Sequence, residues 1–157
     1  MKKIIIGLLL ISQVGFTQSK QETIDWLNQK FKENTDPYMG EYSIKIKNEI
    51  DWGETLIITK RVKNQYMGES FEYYLFLPKN ISSVITTSKY RNDGKLGLLI
   101  TAKGENIYVN NEHFTSEIEI LCIPAPDESI IRMQKGIIHL LNVMGNPIKS
   151  QKELFTN

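Results

Sequence analysis

The chain has 157 residues, with 19 Lys and Arg against 18 Asp and Glu and a single cysteine. So even a balance argues against a nucleic-acid binder, which normally gathers a basic excess on one face, and one cysteine excludes an internal disulfide framework. The length suits one domain that buries its own core.

Met1-Lys2-Lys3 gives a positive start, and residues 4–14 are apolar except for Gly7, Ser12 and Gln13. That stretch is too short to span a bilayer and has the pattern of a cleavable secretory signal over residues 1–17. Gly15 and Thr17 occupy the positions a signal peptidase inspects, which makes Gln18 or Ser19 the first residue of the exported protein. No cysteine stands at that junction to carry a lipid, because the only one is Cys122. Removing Lys2 and Lys3 takes the 19 basic residues to 17 against 18 acidic ones, a net charge of −1. No later segment approaches the ~20 apolar residues of a membrane span. The expectation is an exported protein, periplasmic or extracellular, with no transmembrane segment after signal removal.

Residues 18–157 read as one domain. Ser19 followed by Glu22 has capping-box spacing, and Ile24, Leu27 and Phe31 then recur at helical steps, so a helix is expected over 19–34. Strands are expected between 41 and 124. Tyr42, Ile44 and Ile46 alternate with polar residues, Asp51-Trp52-Gly53 supplies a turn, and Leu56 and Ile58 continue on a second strand. Met67-Gly68 turns into 71–77, apolar on both faces as a central strand would be. Residues 81–90 and 96–101 form a hairpin about Asn92-Asp93-Gly94. Residues 107–109 and 114–123 form another about Asn110-Asn111, which tolerate positive φ. Asp127 is a good N-cap for a helix over 127–144, with Ile130, Met133, Ile137 and Met144 on one stripe and Gly145 and Pro147 ending it. Gly136 costs that helix about 1 kcal/mol relative to Ala, which a close approach to the sheet would explain.

The expected class is α+β: a seven-stranded antiparallel bent sheet, or partly open barrel, of four plus three strands, capped by the C-terminal helix and carrying an extra N-terminal helix. Over roughly residues 41–145 this layout resembles the pleckstrin-homology-like fold. The segments Glu22-Thr23-Ile24-Asp25-Trp26-Leu27 and Arg132 to Leu141 give a layout similar to small exported bacterial proteins of uncharacterised role. Phosphoinositide-binding members of the fold carry bases on the first two strands and their loop. Here the loop Asn48 to Glu54 has three acids and no base. Lys45, Lys47, Lys60, Arg61 and Lys63 lie on the adjoining strands, as an anion site or as a solvated face. The resemblance also implies a binding edge on strand five, where Leu96, Leu98 and Ile100 would receive an extended segment beside Ile131, Lys135 and His139.

Residue chemistry points away from catalysis. His113, His139 and Cys122 have no zinc-ligand spacing, and no Gly-x-Ser-x-Gly, phosphate-loop or His-Glu-x-x-His motif occurs. Cys122 alternates with Ile118 and Ile120, as a buried thiol does, with an intermolecular disulfide as the alternative. Glu117 and Glu119 share a strand face, as paired acids of a glycosidase would or as solvated carboxylates do. Trp52, Tyr66, Tyr73 and Tyr74 are candidates for a sticky surface toward a peptide or sugar, although Trp52 is read first as a lid over the open end of the sheet. The reading is a non-enzymatic interaction module for a protein or peptide of the cell envelope or outside it, with no cofactor, metal or nucleic acid. A small-ligand carrier and a hydrolase are the alternatives. Intact mass of the protein from its native host should lack the first ~17 residues; a full-length mass with carbonate-resistant membrane attachment contradicts this.

Overall fold

The computed structural model describes residues 19–35, 40–87, 97–122 and 127–148. The expected signal over 1–17, the Asn92-Asp93-Gly94 turn, Leu96 and the Pro124-Ala125-Pro126 segment lie outside the described residues. Among the described residues there are two α-helices and two antiparallel sheets, an α+β arrangement that does not close into a barrel. No helix among the described residues is long and apolar enough to cross a membrane.

Helix α1 spans Lys20–Asn34, and its capping box is complete. Ser19 Oγ accepts from the Glu22 amide at 3.1 Å, and the Ser19 amide donates to Glu22 Oε2 at 2.7 Å. Strands follow at β1 Glu41–Glu49, β2 Gly53–Asn64, β3 Gly68–Phe76, β4 Ile81–Thr87, β5 Gly97–Ala102, β6 Ile107–Val109, β7 His113–Thr115 and β8 Glu117–Leu121; α2 spans Asp127–Val143. The first two hairpins use three-residue loops that return through Gly53 and Gly68, at φ of +75° and +82°. Only glycine takes that conformation without strain. Asn110 and Asn111 adopt positive φ, as the β6–β7 turn requires.

The strands divide as five plus three: β1-β2-β3-β6-β7 in one sheet and β4-β5-β8 in the other. This corrects the expected seven strands in a four-plus-three split. The single strand expected over 114–123 breaks at Ser116, whose carbonyl accepts the Ala102 amide at 2.7 Å. The chain thereby leaves β6 as its neighbour and pairs with β5 as β8. A corner of this kind moves a strand between sheets without a loop.

Both sheets turn one face to a common core. Tyr42, Ile44, Leu56, Ile58 and Phe76 come from the first sheet, and Ile81, Val84, Leu98, Ile100, Ile118 and Ile120 from the second. Ile24, Leu27 and Phe31 of α1 and Ile130, Met133, Ile137, Leu140 and Leu141 of α2 complete it. Helix α1 packs on β1 and α2; α2 packs on β4 and β5. Edges are closed by side chains. Asn28 of α1 both accepts from the Ile44 amide (2.7 Å) and donates to the Ile44 carbonyl (3.0 Å), as a neighbouring strand would. Gln134 of α2 donates to Val84 O of β4 at 2.8 Å, and the Tyr42 hydroxyl donates to Glu119 O of β8 at 3.0 Å.

Gly136 serves a different contact from the one its sequence context suggests. A Cβ there would lie 2.8 Å from the Trp26 ring and 3.1 Å from Leu27 Cδ2, so the close approach is to α1, not to a sheet. Gly136→Leu should therefore lower unfolding free energy by roughly 1–3 kcal/mol, through overpacking at the helix crossing. Denaturant melts read by circular dichroism check this; a wild-type midpoint would show that the helices do not pack so closely.

Candidate functional site

Strand β3 reads Gly68-Glu-Ser-Phe-Glu-Tyr-Tyr-Leu-Phe76, and its pleat sends Phe71, Tyr73 and Leu75 to one face and Glu72, Tyr74 and Phe76 to the other. The second set turns toward the core. The first set faces away from it, on the outer side of the five-stranded sheet. Pairing extends that outer set into rows. Lys45, Ile57, Leu75, Tyr108 and Phe114 are successive neighbours across all five strands. Ser43, Thr59 and Tyr73 form the next row, and Glu41, Arg61 and Phe71 the one after.

Aromatic rings remain uncovered along these rows. Phe71, Tyr73 and Phe114 are 48%, 42% and 52% exposed. Phe71 stacks on Tyr73 with ring centroids 6.3 Å apart, and Tyr108 on Phe114 at 4.8 Å. Tyr73 is fixed from beneath, since its amide donates to Asn110 Oδ1 at 2.7 Å and its carbonyl accepts the Asn110 amide at 2.9 Å. Between the rings run two adjoining open grooves. One of about 450 Å³ is lined by Lys45, Lys47, Glu49, Ile57, Phe71, Tyr73, Leu75, Asn110 and Asn111. Another of about 380 Å³ shares Glu49, Leu75 and Asn111 and continues to Ile50, Asp51, Trp52 and Tyr108. Lys47 is paired with Glu49 at 2.8 Å, and Arg61 with Glu41.

The opposite face of the same strands ends in a polar cluster. Tyr74 donates to Glu72 Oε2 at 2.6 Å, and Lys60 reaches the same oxygen at 3.3 Å. Burial alone would raise the Glu72 carboxyl, but the Tyr74 hydrogen bond and the Lys60 charge outweigh it and hold the group below its ordinary value. Burial pushes the Tyr42 phenol up to about 12 and, with the Glu72 carboxylate, pushes Tyr74 up as well. This cluster ties β2 to β3.

The residues picked out by sequence fall in three places. Trp52, 45% exposed, borders the second groove beside Leu75 and Tyr108, so it belongs to the aromatic face. Leu98 and Ile100 are wholly buried. Strand β5 is the centre of its sheet, with β4 on one side and β8 on the other, which corrects the expected binding edge: its backbone has no vacant ladder. Ile131 is exposed on α2, while Lys135 and His139 line a separate groove of about 300 Å³ with Thr23, Trp26, Arg132 and Gly136. Cys122 is buried, and burial raises its thiol to about 11, which suits an inert core residue. Lys45, Lys47 and Arg61 lie on the outer face and Lys60 on the inner, so these bases do not converge. Among the described residues no group of three or more His, Cys, Asp or Glu is placed to hold a metal.

Sequence reading named Trp52 and Tyr73 but missed Phe71, Ile57, Leu75, Tyr108 and Phe114 as companions. The signal was in β3, whose apolar residues on both faces exceed what two helices can cover. No protein-family model, curated protein or solved structure matches the chain, so the geometry alone carries the reading.

The raised phenols predict an alkaline loss of stability. Tyr42 stays protonated in the folded chain up to about 12, whereas the unfolded chain ionises near 10.0. Its contribution is complete below pH 10 and is lost as pH climbs toward 12, by about 2–3 kcal/mol at most. Denaturant melts across that interval should show the decline. Tyr42→Phe should start about 1 kcal/mol lower at neutral pH, for the lost bond to Glu119, and then decline less steeply.

Proposed function

We propose that the protein is an exported interaction module that binds an extended peptide segment of a partner protein on the outer aromatic face of its five-stranded sheet. One observation carries the reading. The rings left over once the core is built lie together instead of being scattered: Phe71, Tyr73 and Tyr108 line one connected trough with Trp52 at its end, and Phe114 stacks on Tyr108 beside it. Scattered apolar residues are ordinary on a surface; a contiguous set with a polar rim marks a recognition face.

Rigid aromatic side chains supply large contact area at small entropic cost, and their backbone is already fixed by the ladder and by Asn110. Lys45 stands opposite Ile57 on the wall of the trough, which favours a segment that sets an acid beside its apolar residues. Openness separates this reading from a carrier: the grooves face solvent across a broad sheet, whereas a carrier encloses most of its ligand. Binding, not catalysis, is the role such a face fits. Export rests on the residues 1–17 pattern, and the pleckstrin-homology-like likeness enters only as a general layout of antiparallel strands closed by a C-terminal helix.

Selection of displayed peptides against the wild-type protein should enrich segments that combine aromatic or aliphatic residues with Asp or Glu. A Phe71→Ser, Tyr73→Ser double variant should bind them at least ~10-fold more weakly, the scale expected when anchor rings are removed. Both residues are about half exposed, so the variant should fold and melt normally. Peptides that bind wild type and variant alike would place recognition elsewhere.

A further inference from the structure

The groove where α1 crosses α2 has a chemistry unlike that of the aromatic face. Its walls carry Arg132, Lys135 and His139 from successive turns of α2, with Trp26 and Thr23 from α1. Spacings of three and four residues place the three bases on one side of the helix. The acids of α2 stand at its start, Asp127 and Glu128, and no Asp or Glu follows through Ile148. The residues that line this concave site include the cations Arg132 and Lys135 and no acid. Gly136 lets the indole of Trp26 lie against the α2 backbone, which gives the groove an aromatic wall beside its donors.

We propose that this groove binds a phosphate monoester, with the phosphate held by Arg132 and Lys135 and the organic part lying against Trp26. The guanidinium fork and the ammonium suit a dianion with three terminal oxygens, since Arg binds two of them side by side and Lys adds a point charge. The volume of about 300 Å³ accommodates a phosphate with one ring attached. Arg132 is paired in the free protein with Glu128, but at 64% and 72% side-chain exposure that pair is weak and its partner is readily exchanged. The site is independent of the aromatic face and stands or falls separately.

Phenyl phosphate is the probe, titrated into a Trp52→Phe background in which Trp26 is the sole indole. A saturable change in Trp26 fluorescence, weakened by added salt, is expected. Lys135→Gln and Arg132→Gln should each weaken it by ~10-fold or more, the size of a lost charge-assisted contact, and circular dichroism should stay unchanged because both side chains are exposed. Glu128→Gln should tighten binding about two- to three-fold by freeing Arg132. Inorganic phosphate should bind at least ~10-fold more weakly than phenyl phosphate, having nothing to lay on the ring. No saturable change below ~10 mM would overturn the proposal. So would an undiminished response in the Lys135→Gln, Arg132→Gln double variant, or a response only to vesicles of anionic phospholipid.

Discussion

The crossing of α1 over α2 at Gly136 is the contact on which the rest of the structure depends. Each sheet has one apolar inner face, and each helix covers chiefly one of them: α1 packs on β1, α2 on β4 and β5. What makes these a single core is that the helices also pack on each other. A side chain at 136 would drive its Cβ to 2.8 Å from the Trp26 ring and force the pair apart. Glycine in mid-helix costs about 1 kcal/mol, but each large side chain it allows to be buried returns about 1.5–3 kcal/mol. Leu27, which lies against this glycine, is at 0% exposure. The balance favours glycine there decisively.

What polar side chains do follows from that arrangement. Sheets that do not close leave edges with unpaired backbone, which either bond within the protein or recruit other chains. Asn28 closes β1 from α1, Gln134 closes β4 from α2, and Tyr42 spans from one sheet to β8 of the other. Two of these three residues project from the helices, so the crossing that builds the core also aims the amides. Gln134 is 8% exposed and tolerable there because its bond to Val84 O compensates its burial.

Local chemistry was legible in the sequence and long-range pairing was not. The capping box at Ser19, the glycine turns at Gly53 and Gly68, the positive φ at Asn110 and Asn111 and the α2 stripe each depend on residues a few positions apart, and each reads directly from the chain. The division of strands depends on one main-chain bond, Ala102 N–H to Ser116 O, which no side-chain pattern announces. Missing it merged β7 with β8. The edge expected at β5 came from the resemblance instead, and Leu98 and Ile100 are as buried as central positions should be. Gly136 was recognised as a close-approach residue, yet its partner was a helix, because spacing along a chain does not say which element lies opposite.

The aromatic face shows where the two kinds of information meet. Alternation in β3 establishes that Phe71, Tyr73 and Leu75 share a side, but not whether anything covers that side. Coverage is a matter of how many elements the chain has to spend. The helices are held together by the Gly136 contact, both on the core side, so neither can reach the outer face of the five-stranded sheet. Among the described residues, then, the same contact that consolidates the core leaves Phe71, Tyr73 and Phe114 half exposed. Such a face would ordinarily be a solubility liability, and polar groups at its borders moderate it: Lys45 beside Ile57, the Lys47–Glu49 pair and the Arg61–Glu41 pair. An apolar middle with a charged rim is the make-up expected of the recognition face proposed above.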